Sequence, residues 1–151
     1  MVVAMTLRLA RPQEVSAIIA LEHAAARIYA AVEGYAWVAD MPAMASDEVA
    51  RAIADEGVWV VVGEGDVVGA VVCFWHGDDG HLRELNVHPR HQRRGLGRRL
   101  VNAALEGARA KGCVRLALTT FSQVPFNGPW YERMGFRRVS QPTGWLAAER
   151  A

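Results

Sequence analysis

Between Leu85 and Leu100 the chain reads LNVHPRHQRRGLGRRL, an apolar strand-like run that stops at Pro89 and gives way to two glycines opening a helix. From Arg94 to Lys111, Leu96, Leu100, Ala104 and Ala108 recur every fourth position, Val101 and Leu105 widen the stripe, and Gly112 ends it. A strand leading into a helix with one apolar face commits the chain to a mixed α/β layer.

The remaining elements follow from the same patterns. Leu7 to Leu9 reads as a short strand. Val15, Ile18, Ile19, Ala25, Ala26 and Tyr29 keep helical spacing from Pro12 to about Val32. Gly34 and Pro42 bound a loop, and Ser46 is the expected N-cap of a helix with Asp47 and Glu48 in its first turn, ending near Glu56 at Gly57. Val58–Val62 and Val67–Trp75 are two β-rich runs joined tightly enough for a hairpin. A third strand is expected from His81 to Val87. Leu82 and the pair Leu85 and Val87 take opposite parity within it, so the alternation slips near Glu84, the mark of a bulge or splay that leaves backbone groups unpaired. Val114–Thr120 reads as a strand, Asn127 as the cap of a short helix through Met134, and Phe136–Val139 as a last strand. The expected order is β-α-α-β-β-β-α-β-α-β, an antiparallel meander followed by one crossover.

With 151 residues, 52% of them apolar and 22% charged, the chain suits one folded domain over residues 1–151. Its net charge of +1 hides an asymmetry: residues 1–66 carry net −6 and residues 67–151 net +7. A basic half suits an anionic partner and an acidic half a cationic one, and either is also compatible with a solvated surface. Two cysteines make no disulfide framework, and the N-terminus lacks a basic leader followed by an apolar run, so a reduced cytoplasmic protein is expected. The longest uncharged stretch, Leu116 to Tyr131, is too short for a membrane helix.

Glycines opening a helix expose backbone N–H groups at the positive end of its dipole and let an anion approach closely, a setting that pyrophosphate fits. Arg93, Arg94, Arg98 and Arg99 can add charge-assisted contacts. Gly95-x-Gly97 by itself is a weak signal, since Gly63-x-Gly65 repeats it, and close helix packing explains it equally well. Leu100 stands where a dinucleotide fingerprint needs its third glycine, and no Gly-Lys-Ser/Thr is present, which disfavours nicotinamide cofactors and ATP. His88 and His91 flank Pro89 with no carboxylate or cysteine to complete a ligand set, so no metal is expected. Cys73, beside Phe74 and Trp75, reads as a buried structural thiol. The five arginines from Arg90 to Arg99 lack neighbouring stacking aromatics, which argues against nucleic acid.

Gln92-Arg-Arg-Gly-Leu-Gly97 resembles the Q/R-x-x-G-x-G/A acyl-CoA signature of the GNAT superfamily of N-acetyltransferases. Leu-Asn-Val-His-Pro is similar to the strand before it, and Trp130-Tyr-Glu-Arg-Met-Gly-Phe136 to the family's "FYEKxGF"-like second motif. The likeness covers roughly residues 58–139. It implies an α/β fold with a mixed, mostly antiparallel sheet, a splayed central strand and flanking helices, and a reaction between acetyl-CoA and a primary amine of a small molecule or peptide. The family pattern would place the pantetheine arm along the backbone of Leu85 and Val87. The pyrophosphate would lie on the amides of Arg93, Arg94, Gly95, Leu96, Gly97 and Arg98, with Gln92 at the first motif position. Tyr131 takes the position that protonates the departing thiolate, with a packed helix aromatic as the alternative. An asparagine often found seven residues earlier is replaced by Val124, which leaves Asn127 as the pantetheine contact. Glu84, His81 or an ordered water is the base. Glu33, Tyr35 and Trp37, between the first two helices, suit a cationic acceptor. A homodimer is a family-level expectation, and a non-catalytic acyl-CoA sensor on the same fold is the rival reading.

Overall fold

The computed structural model describes residues 4–150, with the side chain of Arg150 left aside. The chain divides into two compact units, Met1–Leu116 and Ala117–Ala151. In the first, strand β1 (Met5–Leu9) leads through a 3-10 turn (Pro12–Glu14) into helix α1 (Val15–Ala26), followed by 3-10 turns at Arg27–Ala31 and Ala36–Asp40 and by α2 (Ser46–Ala54). Strands β2 (Val58–Gly63), β3 (Asp66–His76) and β4 (Asp79–Val87) form the meander, α3 spans Leu96–Ala110, and β5 is Arg115–Ala117. The sheet runs β1-β2-β3-β4-β5, and the first three pairings are antiparallel.

Each face of the sheet buries its own helices. Val58, Val60, Ala70 and Val72 face Ile18 and Leu21 of α1 and Val49, Ala52 and Ile53 of α2. The opposite parity lies under α3, whose Leu100, Val101, Ala104 and Ala108 are buried. A Cβ on Gly69 would meet Leu100 at 3.1 Å, and one on Gly107 would strike the Trp59 ring at 2.1 Å, so these glycines set how closely α3 approaches. Arg8 on β1 makes two hydrogen bonds of 2.8 Å to Glu14, holding the Glu14 carboxyl below the usual carboxylate range and fastening the first strand to the start of α1.

The slipped alternation in the third strand is a bulge. Val72 pairs with Glu84 and Cys73 with Leu82, so Arg83 is an extra residue with no partner on β3. Leu82, Leu85 and Val87 thereby share the α3 face. His81, Glu84 and Asn86, opposite Phe74, Val72 and Ala70, turn to the α1 face.

Four local expectations need correction. The N-cap of α2 is Ala45; Ser46 is already helical, and the Glu48 carboxylate accepts the Ala45 N–H at 3.3 Å. β5 stops at Ala117 rather than Thr120, because Thr120 bonds the Asn127 side chain at 2.9 Å and the Phe121 carbonyl accepts the Gly128 N–H, which ties this segment to the start of the next helix. That helix, α4 (Gly128–Arg133), has Asn127 at its N-cap position but receives no side-chain cap from it. Phe136–Val139 is not a strand. Gly135 turns at φ 102°, the Phe136 N–H returns to the Tyr131 carbonyl, and Arg138 grips Glu132 and the Ser122 carbonyl, so the backbone follows the end of α4. A further helix, α5 (Gly144–Arg150), was not expected from the sequence.

Gly57 offers a direct test of the packing of the α2–β2 connection against β3. A Cβ there would lie 2.3 Å from the Cys73 carbonyl oxygen, which is backbone and has little freedom to yield. Gly57→Ala is expected to lower unfolding stability by about 1–3 kcal/mol in urea titration. An unchanged midpoint would contradict this packing.

Candidate active site

The turn from β4 to α3 is built from backbone rather than side chains. Pro89–His91 forms a 3-10 turn, the His88 side chain accepts the Arg90 N–H at 3.1 Å, and the His88 N–H reaches the Val68 carbonyl at 2.8 Å. Arg93 and Gly95 then take left-handed conformations, with φ 63° and 77°. Such a conformation is costly for a side-chain-bearing residue such as Arg93. Arg99 to Gly95 is the first helical hydrogen bond, so the N–H groups of Leu96, Gly97 and Arg98 have no acceptor within the helix. A Cβ on Gly95 would meet nothing within 4 Å: the turn opens outward. Beside it, His91 Nδ1 is buried without a hydrogen-bond partner among the described residues.

The edge of β4 leads to this turn. Because the His88 N–H points to β3, alternation sends the N–H and C=O groups of Leu85 and Val87 the other way. On that side, Val114 bonds Asp78, Arg115 pairs with Asp79 and Leu116 lies beside Gly80, so β5 accompanies only the first part of β4. The three residues of β5 leave the backbone groups of Leu85 and Val87 facing away from β3. Gln92 Nε2 donates to the Val87 carbonyl at 3.4 Å, linking strand edge and turn.

The two candidate bases share the α1 face but not their exposure. His81 is 4% exposed, against Phe74 and His76 with ring centroids 6.5 and 5.9 Å away. The Glu84 side chain is 27% exposed, with Arg83 Nη1 3.2 Å from its carboxylate. Burial, and then the charge of the nearby Glu22 carboxyl, push the Glu84 carboxyl up to about 8. Glu22 was not singled out in the sequence as a partner of this strand. Its signal was position: on α1 it sits one turn after Ile18 and next to Leu21, an acid beside a buried stripe.

The other candidates lie on other segments of the chain. Glu33 is exposed, Tyr35 is half-buried at the head of the 3-10 turn, and Trp37 is 53% exposed, its Nε1 donating to the Gly34 carbonyl at 3.0 Å. In the second unit Tyr131 is 8% exposed and makes edge contacts with Trp130 and Phe136, at centroid distances of 4.9 and 5.5 Å. Asn127 is occupied with Thr120. Cys73 is buried and its thiol pushed up to about 12, which suits an inert thiol. Among the described residues no cluster of three or more His, Cys, Asp or Glu could hold a metal.

Residues 18–136 match the model of the acetyltransferase (GNAT) family. The chain belongs to the GNAT acetyltransferase family, and it is an acyltransferase. Its fold is similar to that of the PaiA N-acetyltransferase of Thermoplasma acidophilum in complex with coenzyme A, with TM-score 0.76 and 14% identity over 92% of this chain and 93% of that one. A GNAT family acetyltransferase of Brucella melitensis in complex with acetyl-CoA gives 0.65 and 22% over 89% and 84%. Ard1 of Thermoplasma volcanium gives 0.67 and 19% over 91% and 85%.

Two consequences of this GNAT site can be measured. Gly95→Ala puts a methyl on the open side of the turn, where an anion would approach the backbone, so coenzyme A affinity by calorimetry should fall about tenfold. Unchanged affinity would place the anion elsewhere. The second concerns pH. Between the usual carboxyl range and about 8, folded Glu84 keeps a proton that the unfolded chain has released, so stability declines as pH rises through that window. Thermal unfolding of Glu84→Gln should decline less than wild type from about pH 5 to about pH 9, whereas equal declines would refute the raised value.

Proposed function

We propose that the whole chain, residues 1–151, works as one cytoplasmic N-acetyltransferase domain, moving acetyl from acetyl-CoA to a primary amine of a small molecule or peptide by direct attack. The observation that carries this reading is Glu84, a solvent-reachable carboxyl with a raised proton affinity on the strand that leads into the glycine turn. An alkylammonium titrates near 10, and a base close to it in proton affinity takes its proton across a smaller gap than an ordinary carboxylate does.

The turn supports a diphosphate through its outward-facing N–H groups, with Arg93, Arg94 and Arg98 around it, and His91 Nδ1 is a further polar atom to be satisfied. Gln92 borders the turn, and the Leu85 and Val87 backbone supports the pantetheine arm. When bound, acetyl-CoA supplies a thioester whose carbonyl carbon accepts nitrogen and whose sulfur leaves. Glu84 takes the ammonium proton, breaking N–H and forming O–H, which frees the nitrogen lone pair for the new C–N bond. The Val87 N–H donates to the carbonyl oxygen as it gains charge. As the C–S bond breaks, the Tyr131 hydroxyl gives its proton to the sulfur, and the second proton lost by the nitrogen as the amide forms restores the phenol; this role rests on the Trp130–Phe136 motif. Asn127 keeps a lesser part, since its side-chain oxygen already serves Thr120. His81 is too enclosed to meet an acceptor and is assigned to the buried layer behind Glu84.

The acceptor is assigned to the segment after α1, where Glu33 supplies charge and Tyr35 and Trp37 supply aromatic surface for a cation. Among the described residues no helix is long and apolar enough to cross a membrane.

Free-thiol release with acetyl-CoA, run against amines, amino acids, aminoglycosides and peptides, tests the reading. Turnover with at least one amine is expected. Tyr131→Phe should keep coenzyme A affinity and lose about a hundredfold in kcat, and Glu33→Ala and Trp37→Ala should raise the acceptor KM. Coenzyme A binding with no thiol release from any acceptor would instead favour a non-catalytic sensor.

A further inference from the structure

In a regular strand consecutive side chains project to opposite faces and do not meet. On β4 two consecutive side chains do meet: Arg83 Nη1 donates to Glu84 Oε1 at 3.2 Å. The bulge makes this possible, because Arg83 is the extra residue between the Val72–Glu84 and Cys73–Leu82 pairs and is released from the alternation. Both side chains keep access to solvent, 35% exposed for Arg83 and 27% for Glu84.

The contact leaves much of the pair's bonding capacity unused. A guanidinium is a planar fork of several N–H donors, and Arg83 commits a single one of them to Glu84. Among the described residues no other ion pair engages Arg83. A one-point contact between half-exposed groups adds little to folding stability, so a ligand can draw the two apart at small cost.

A ligand that fits must carry opposite charges equally close together. In an α-amino acid the ammonium and the carboxylate hang from one carbon, so both can bind at once, the ammonium to Glu84 and the carboxylate to the Arg83 fork. A peptide N-terminus has an amide in place of that carboxylate and offers the fork only a neutral carbonyl. A polyamine or an aminoglycoside brings further cations, which Arg83 repels.

We propose that the acceptor is a free α-amino acid and that Arg83 determines this specificity, its guanidinium binding the carboxylate while the ammonium faces Glu84. This rests on the reading of the chain as an amine acetyltransferase with Glu84 as the base. The nearby Glu22 carboxyl opposes a second carboxylate beside Glu84, and Arg83 is the cation that offsets it. The surface of Tyr35 and Trp37 is left to the side chain of the amino acid.

The test measures free-thiol release by the full chain with acetyl-CoA and matched sets of acceptors: each common α-amino acid, its α-carboxamide, and the amine that lacks the carboxyl group. Side chains match within a set, so the ratio of kcat/KM between acid and amide reads the carboxylate. In wild type at least one set should favour the acid by about 10–100-fold, the range of a charge-assisted hydrogen bond. Arg83→Gln should lower that ratio by about the same factor, chiefly through KM. Arg83→Lys keeps the charge without the fork, should fall between the two, and serves where the glutamine variant fails to bind coenzyme A and so to fold.

A loss in kcat/KM that is equal for acid and amide marks Arg83 as merely structural and overturns the proposal. Turnover of other amines with no preference for any free α-amino acid overturns it too, and leaves the acetyltransferase reading standing. No thiol release with any acceptor removes that reading and the proposal with it, as does full turnover by Glu84→Gln for the assignment of the base.

Discussion

The single unpaired residue Arg83 governs much of the first unit. Without the bulge, strict alternation from Leu82 would send Leu85 and Val87 to the α1 face and Glu84 under α3, burying a carboxyl against Leu100 and Val101. With it, three apolar side chains lie under α3, while His81, Glu84 and Asn86 share the side of the sheet that α1 covers. A second irregularity, where Val62 pairs with Val67 and Val61 with Gly69, leaves Val68 as an extra residue whose carbonyl receives the His88 N–H. One bulge thus aims the acid, and the other fixes the chain where it leaves the sheet.

The strain at Arg93 follows from the same geometry. The chain must turn from a strand edge into a helix that packs back on the sheet, and it does so within the few residues between His91 and Leu96. Gly95 takes a left-handed conformation at little cost, whereas Arg93 takes one at a cost. Leu96 and Leu100 lie buried behind the turn, so core packing stabilises a backbone whose polar groups face outward. The hydrophobic face of α3 is therefore what holds its first N–H groups outward.

Much of this was legible in the sequence because it rests on local periodicity. The α3 stripe, the hairpin at Gly63–Asp66 and the slip near Glu84 each leave a mark within a dozen residues. The structure resolves the slip in a way that parity alone did not, since only the pairing of Glu84 with Val72 tells which face it occupies. The failures depend on contacts that no window contains. Phe136–Val139 has strand-like composition, yet Arg138 and the Phe136 N–H hold it to the preceding helix. Glu22 and Glu84 lie 62 positions apart, and neither residue has a motif that names the other. Ser46 had the right chemistry for a cap but sits one residue inside a helix capped by the reach of Glu48 to Ala45.

The uneven charge along the chain acquires a division of labour in the same way. Acids of the first half are partly consumed by structure: Glu14 holds Arg8, Glu48 caps α2, and Glu56 meets Lys111 at 3.2 Å. In the basic half, Arg115 and Arg138 are paired with Asp79 and Glu132. None of the ion pairs among the described residues engages Arg93, Arg94, Arg98 or Arg99. Four like charges crowded on an opening turn repel one another, and in water that repulsion is screened but not removed. A bound anion would relieve it. The acid side differs in kind: burial and the nearby Glu22 carboxyl raise the proton affinity of Glu84, so this acid resists ionisation where the arginines of the turn keep their charge.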